Sequence, residues 1–145
     1  MQQSDYILRE IEKISIMLMG MLGKMVRRNK EGVELNEDEY SALTDQLCSE
    51  SKLDLEEILQ KSSGEFEDYF RSVKGFDEKN IEILADLIES MAGVLPEERR
   101  EQYYQKAFEI YHFLDISFKT FSFERMGKKQ KLEDKLNSPQ GEFPL

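Results

Sequence analysis

The sequence predicts an all-α protein, a compact bundle of six or seven helices. Three observations carry that class. Ile7, Ile11, Ile14, Leu18, Met21 and Met25 follow one another at steps of 4, 3, 4, 3 and 4, the spacing of a helix seam that lies against another helix. Proline occurs three times, and two of the three (Pro139, Pro144) fall in the last seven residues, so the body of the chain is nearly free of helix breakers. No segment alternates apolar and polar residues with the period of two that a strand requires.

The elements follow in order. A first helix is expected from an N-cap at Ser4 to about Asn29, with Lys24, Arg27, Arg28 and Lys30 at its C-terminal end, where positive charge suits the macrodipole. Ile16 to Gly23 contains no charged residue. A helix apolar on every side must be enclosed, so this half of the helix is expected to be covered from more than one direction. Gly20 and Gly23 each cost about 1 kcal/mol against alanine inside a helix. A second backbone coming close would account for them.

Asn36 can cap a second helix with Tyr40, Leu43 and Leu47 inward, and Ser49–Lys52 breaks its pattern. A third helix starts near Asp54 and turns Leu55, Ile58 and Leu59 inward. Ser62-Ser63-Gly64 marks a break, after which a short helix carries Phe66, Tyr69, Phe70 and Val73. Asp77 caps a fifth helix burying Ile81, Leu84, Ala85, Leu87 and Ile88, which stops near Gly93. Pro96 fits the first position of a sixth helix, where its missing N–H costs nothing. That helix buries Tyr103, Ala107, Tyr111 and Leu114. Ser122 can cap a last one running to about Leu136. Residues 1–136 then form a single helical domain, and 137–145 have the composition of a disordered tail.

Charge is unevenly placed. The net charge is −10, distributed as +3 over residues 1–30, −14 over 31–101 and +1 over 102–145. An acidic middle between mildly basic ends excludes a nucleic-acid binder, which needs clustered Lys and Arg for phosphate contacts. It fits ends that pack beside the middle, within one chain or across a dimer, or an acidic face for a basic partner. Cys48 is alone, so no internal disulfide can form, as suits a reducing compartment. The stretch Ile14–Leu22 follows Asp5, Glu10 and Glu12 rather than a basic segment, which is not the pattern of a secretory signal. The expected location is cytoplasmic.

Within Ile81–Leu114, Ile81, Leu84-Ala85 and Ile88 sit at the offsets of the first helix of a tetratricopeptide repeat. Tyr104, Ala107, Tyr111 and Leu114 resemble its second helix. Ala85 and Ala107 are 22 positions apart, a longer connection than the repeat consensus allows. One copy alone cannot make a solenoid. Asp5-Tyr6-Ile7-Leu8-Arg9 with Ile11-Glu12, and Asn80-Ile81-Glu82-Ile83-Leu84-Ala85-Asp86-Leu87-Ile88, resemble a family of small, functionally uncharacterised all-helical bacterial proteins. The resemblance spans about residues 5–125. It implies a tetratricopeptide-like helical hairpin in the C-terminal half of the bundle, and no catalytic or binding residue.

No catalytic constellation is visible. His112 is the sole histidine, and a zinc-protease pair needs two. Glu109-Ile110-Tyr111-His112 matches the Glu-x-x-His spacing of di-iron bundles, which need two such motifs and two further carboxylates; a dimer would have to assemble that metal site, the alternative enzymatic reading. His112 otherwise reads as a surface or boundary residue near Asp115. Cys48 reads as a buried structural cysteine. No cofactor motif is present: there is no phosphate-binding glycine loop and no nucleophile elbow. Eight of the fifteen aromatic residues lie between Tyr103 and Phe123, an arrangement that builds a core. The sharper alternative makes Tyr103, Tyr104 and Tyr111 a groove for a peptide. The leading expectation is a non-enzymatic interaction module that self-associates, as a homodimer, or docks a protein partner, with Met17, Met19, Met21 and Leu22 as candidate interface. A third reading, peripheral membrane binding through the methionine-rich helix, is opposed by Glu10 and Glu12.

Overall fold

The computed structural model describes residues 2–137. The chain forms α1 (Gln2–Glu31), α2 (Glu37–Ser51), α3 (Leu55–Gln60), a 3-10 turn (Ser63–Glu65), α4 (Phe66–Ser72), α5 (Glu78–Ala92), α6 (Glu97–Ser117) and α7 (Phe123–Asn137), with no strand among the described residues. Of the tail expected at 137–145, only Asn137 is described.

Local chemistry sets most boundaries. Asn36 and Glu39 form a reciprocal capping box at the start of α2. Asp54 accepts from the Glu57 N–H at 3.2 Å, Asp77 from that of Asn80 at 2.9 Å and Ser122 from that of Arg125 at 3.1 Å. Lys52, at φ 68°, ends α2 in the left-handed conformation. Two expected starts shift. α1 begins at Gln2, so Ser4 lies inside it and is not its cap. Pro96 is the N-cap of α6 rather than its first residue; its fixed φ suits either position.

α5 is the centre of the arrangement. α6 returns along it as an antiparallel hairpin partner, and Ala85 and Ala107 have no exposed surface. α1 runs parallel to α5. Near its start, Asn80 Nδ2 donates to the Ile11 carbonyl at 2.9 Å; near its end, Asn29 Nδ2 donates to the Ser90 carbonyl at 2.7 Å. Two tight approaches accompany these links. Gly75, at φ +87°, passes so close to α1 that a Cβ there would lie 2.7 Å from Ile14 Cγ1 and 3.0 Å from the Glu10 carbonyl oxygen. A Cβ at Gly93 would overlap the Asn29 side-chain oxygen. The α1–α2 corner is fixed by Arg28, whose guanidinium makes two bonds to Glu39 at 2.7 and 2.8 Å. That hydrogen bonding draws the Glu39 carboxyl below its ordinary range.

The core runs from Ile14, Leu18, Met21 and Met25 of α1 through Leu47, Leu53 and Ile58 to Phe66 and the α5–α6 hairpin. Expectation and structure part along α1. The seam engages from Ile14 onward, while Ile7 is 54% exposed. Nor is the apolar half enclosed: Ile16 is 67% and Met19 53% exposed, and Gly20 and Gly23 are exposed as well. The reason is placement. α1 is an edge helix, packed on α5 along one face with α2 at its C-terminal end, and its far side meets no other element among the described residues. Cys48, expected in the core, is exposed on α2, one residue past the buried Leu47.

Candidate interaction surfaces

The four residues singled out on α1 do not act together. Met17 and Met21 are buried in the chain's own core, Leu22 is half-buried against it, and only Met19 faces outward. Around Met19 the outer face presents Leu8, Ile16, Gly20, Gly23 and Val26, all exposed. A Cβ built on Gly20 or Gly23 would meet nothing within 4 Å. No part of the described chain therefore uses either glycine. Glu12 and Arg27 lie at the two ends of this face and are exposed.

The three tyrosines also divide. Tyr103 is wholly buried and turned toward α2 and α3. It donates to the Tyr40 hydroxyl, which donates to Glu56. Arg99 lies over both rings, at 4.6 Å from Tyr40 and 5.5 Å from Tyr103. Burial, then the bond to Tyr40, pushes the Tyr103 phenol far above its ordinary value, so it stays a neutral donor. Tyr111 is also wholly buried and donates to Asp86 and, at 3.3 Å, to Glu89. Burial and the Asp86 charge push its phenol up strongly. Tyr104 is half-buried.

What sequence reasoning missed is the surface these side chains share. α5 carries a rail of carboxylates, Glu78, Glu82, Asp86 and Glu89. α6 carries Tyr104, Phe108 and Tyr111, with Asp115 at the end. Residues of α7 sit on both. Arg125, 3% exposed, reaches Glu82 at 2.8 Å, Asp115 at 2.9 Å and Glu78 at 3.3 Å. Lys128 reaches Glu82 at 2.9 Å and Asp86 at 3.0 Å, and Lys129 reaches Asp115 at 2.9 Å. Lys128 lies over the Tyr111 ring at 5.6 Å, Lys129 over Phe108 at 5.5 Å and Lys135 over Tyr104 at 4.9 Å, each within cation–π range. The spacing of both rails was present in the sequence, at steps of 4, 4, 3 and 4, 3.

The carboxylates respond differently. Burial opposes ionisation of Glu82 and Asp115, but the bonds from Arg125, with Lys128 and Lys129, outweigh it and hold both below the ordinary range. Glu89 has a weaker cation, Lys135 at 3.9 Å, and burial raises it.

Glu109 and His112 are not brought into a metal-binding pair. The Glu109 carboxylate accepts from the buried Lys106 at 2.9 Å, while the exposed His112 stacks on Phe108 and takes a bond from Lys129 at 3.0 Å. Among the described residues no group of three or more His, Cys, Asp or Glu stands in a metal-holding arrangement, and no helix is long and apolar enough to cross a membrane. No family model matches the chain, and neither a curated protein nor a solved structure matches it.

Proposed function

We propose that the protein is a non-enzymatic interaction module that self-associates through the outer face of α1. The observation carrying this reading is the exposed apolar strip of Ile16, Met19 and Val26 around two glycines that none of the described residues fills. A second copy fits the strip. Placing two α1 helices antiparallel about a two-fold axis between Met19 and Gly20 sets Met19 over Gly20 and Ile16 over Gly23 of the other copy. The same register pairs Glu12 with Arg27. Such an interface is self-complementary, as a two-fold dimer requires. Arg9 opposes Lys30 of the other copy at each end, a like-charge pair whose repulsion is screened at exposed rim positions.

The tetratricopeptide-like character of α5–α6 belongs to the same proposal, supported by the enclosed alanines Ala85 and Ala107 at the hairpin contact. So does a cytoplasmic setting, which suits an exposed, unpaired Cys48.

Sedimentation velocity on the full chain at micromolar concentration tests the proposal. The expected result is a species of twice the 17.1 kDa chain mass, abolished by Met19→Glu without loss of helical circular dichroism. A native chain that stays monomeric throughout the micromolar range overturns it.

A further inference from the structure

α7 is attached in an unusual way. Of its fifteen residues, Arg125 and Leu132 alone are buried, so one leucine is its only wholly enclosed apolar anchor. Phe123 and Met126, its other large apolar residues near the start, are exposed. The remaining attachment is charge and cation–π contact, with Leu136 half-buried. Arg125, Lys128, Lys129, Leu132 and Lys135 all face the α5–α6 hairpin, and each has a matched seat there. The lysines have a carboxylate and a ring apiece: Asp86 and Tyr111 for Lys128, Asp115 and Phe108 for Lys129, Glu89 and Tyr104 for Lys135.

A helix seated through one apolar anchor and a row of cations is bound as a ligand is bound in a groove. The hairpin surface beneath it carries four carboxylates on α5, each within reach of an α7 cation. Without α7, Glu78, Glu82, Asp86 and Glu89 would each stand about one turn from the next on one face of α5, and like charges at that spacing repel.

We propose that the α5–α6 face is a receptor groove for a basic amphipathic helix of a partner protein, and that α7 is its resident occupant, displaced when the partner docks. The partner helix is defined by the chemistry of α7: a cation, a cation pair three and four positions on, an apolar anchor seven on and a cation ten on, as in Arg125, Lys128, Lys129, Leu132 and Lys135. Tethering gives α7 a high effective concentration at the groove. The groove is therefore closed to weak competitors and open to a partner that supplies a better anchor or more charge. The proposal is independent of self-association through α1.

The test uses the full chain with Met19→Glu, so that pairing through α1 cannot contribute. The probe is a labelled synthetic peptide of residues 122–137, read by fluorescence anisotropy. In the Leu132→Ala chain the resident helix loses its anchor, and the peptide should bind at least tenfold more tightly than it binds the chain with Leu132 intact. Binding should weaken as salt rises, and a peptide with Lys128→Glu and Lys129→Glu should not bind. A second chain combining Leu132→Ala with Glu82→Gln keeps the groove's shape and should lose affinity. No peptide binding to a Leu132→Ala chain whose α5 and α6 amides remain protected from exchange overturns the proposal. So does equal binding with and without Leu132→Ala, or conversion of the chain to a dimer by exchange of α7 in place of peptide binding.

Discussion

Replacing Gly20 and Gly23 together by alanine separates what these residues cost the monomer from what they permit between copies. Both lie inside a 30-residue helix with free space where a Cβ would stand. In the monomer the change is therefore pure helix propensity. Each substitution should stabilise by about 0.5–1 kcal/mol, roughly 1–2 kcal/mol in all. For a chain of this size that corresponds to an upward shift in Tm of about 2–8 °C. Between copies the effect is opposite. In the antiparallel register each new methyl faces Met19 or Ile16 of the other α1, and the two-fold axis applies every clash twice. Overpacking a fitted contact costs about 1–3 kcal/mol, so association should weaken about tenfold or more. Urea denaturation at low concentration reads the first effect and sedimentation equilibrium the second. Dimerisation as tight as that of the native chain would refute the close helix approach. A loss of monomer stability would show that the chain itself uses the two glycines.

Further outcomes follow from named contacts. Gly75→Ala should cost about 2–5 kcal/mol by urea denaturation, combining left-handed strain with a clash against Ile14 and the Glu10 carbonyl. Gly32→Ala, at φ +67° in open space, should cost only the strain; equal losses would contradict the tight approach at Gly75. Asn80→Ala should cost about 1–3 kcal/mol, because Asn80 is wholly buried and its Nδ2 ties the Ile11 carbonyl of α1 to the Gly75 carbonyl; a loss within error of zero by the same measurement would remove this link from the account. Acid should release α7 before the rest: Glu82 and Asp115 have lowered values, so their contribution is complete above their unfolded values of about 4.3 and 3.9 and is lost as pH falls through the folded ones. Glu89 is raised, so its contribution is full at low pH and is lost as pH rises through its folded value, and Glu89→Gln should stabilise the chain at neutral pH. Hydrogen exchange across 123–137 against α5 checks the order of release, and uniform loss of protection would refute it.

Sequence and structure agree best where the controlling physics is local. Asn36, Asp54, Asp77 and Ser122 cap the helices assigned to them, because a cap depends on a side chain and a backbone N–H three residues away. Inward stripes were equally readable: Tyr103, Ala107, Tyr111 and Leu114 are all enclosed. Periodicity gives the direction of a buried face but not how many neighbours a helix has. Ile16 and Met19 were therefore expected to be covered, and Cys48, beside Leu47, to be inside. The groove under α7 was written in the steps between Glu78, Glu82, Asp86 and Glu89 and between Tyr104, Phe108 and Tyr111. Acidic residues at helical spacing are nevertheless ordinary on a solvated face. Only the third partner, α7, packed on α6 with its cations reaching across to α5, gives them meaning, and that is a tertiary fact.

The two terminal helices are held by opposite physics, which makes them separable in one solution. α1 is seated by Ile14, Leu18, Met21 and Met25, with Asn80 and Asn29 as cross-links. Apolar burial strengthens in salts that are excluded from protein surface. α7 is seated by four cations and Leu132, and charge contacts weaken as the screening length shrinks. Added sulfate should therefore loosen α7 while tightening α1 and any contact made by its outer face. A chain bound at both ends by the same kind of contact would move both ends together. On the proposed reading, salt would weaken both α7 and a competing basic helix at the acidic groove while leaving the apolar strip intact, so groove binding and pairing through α1 would respond separately.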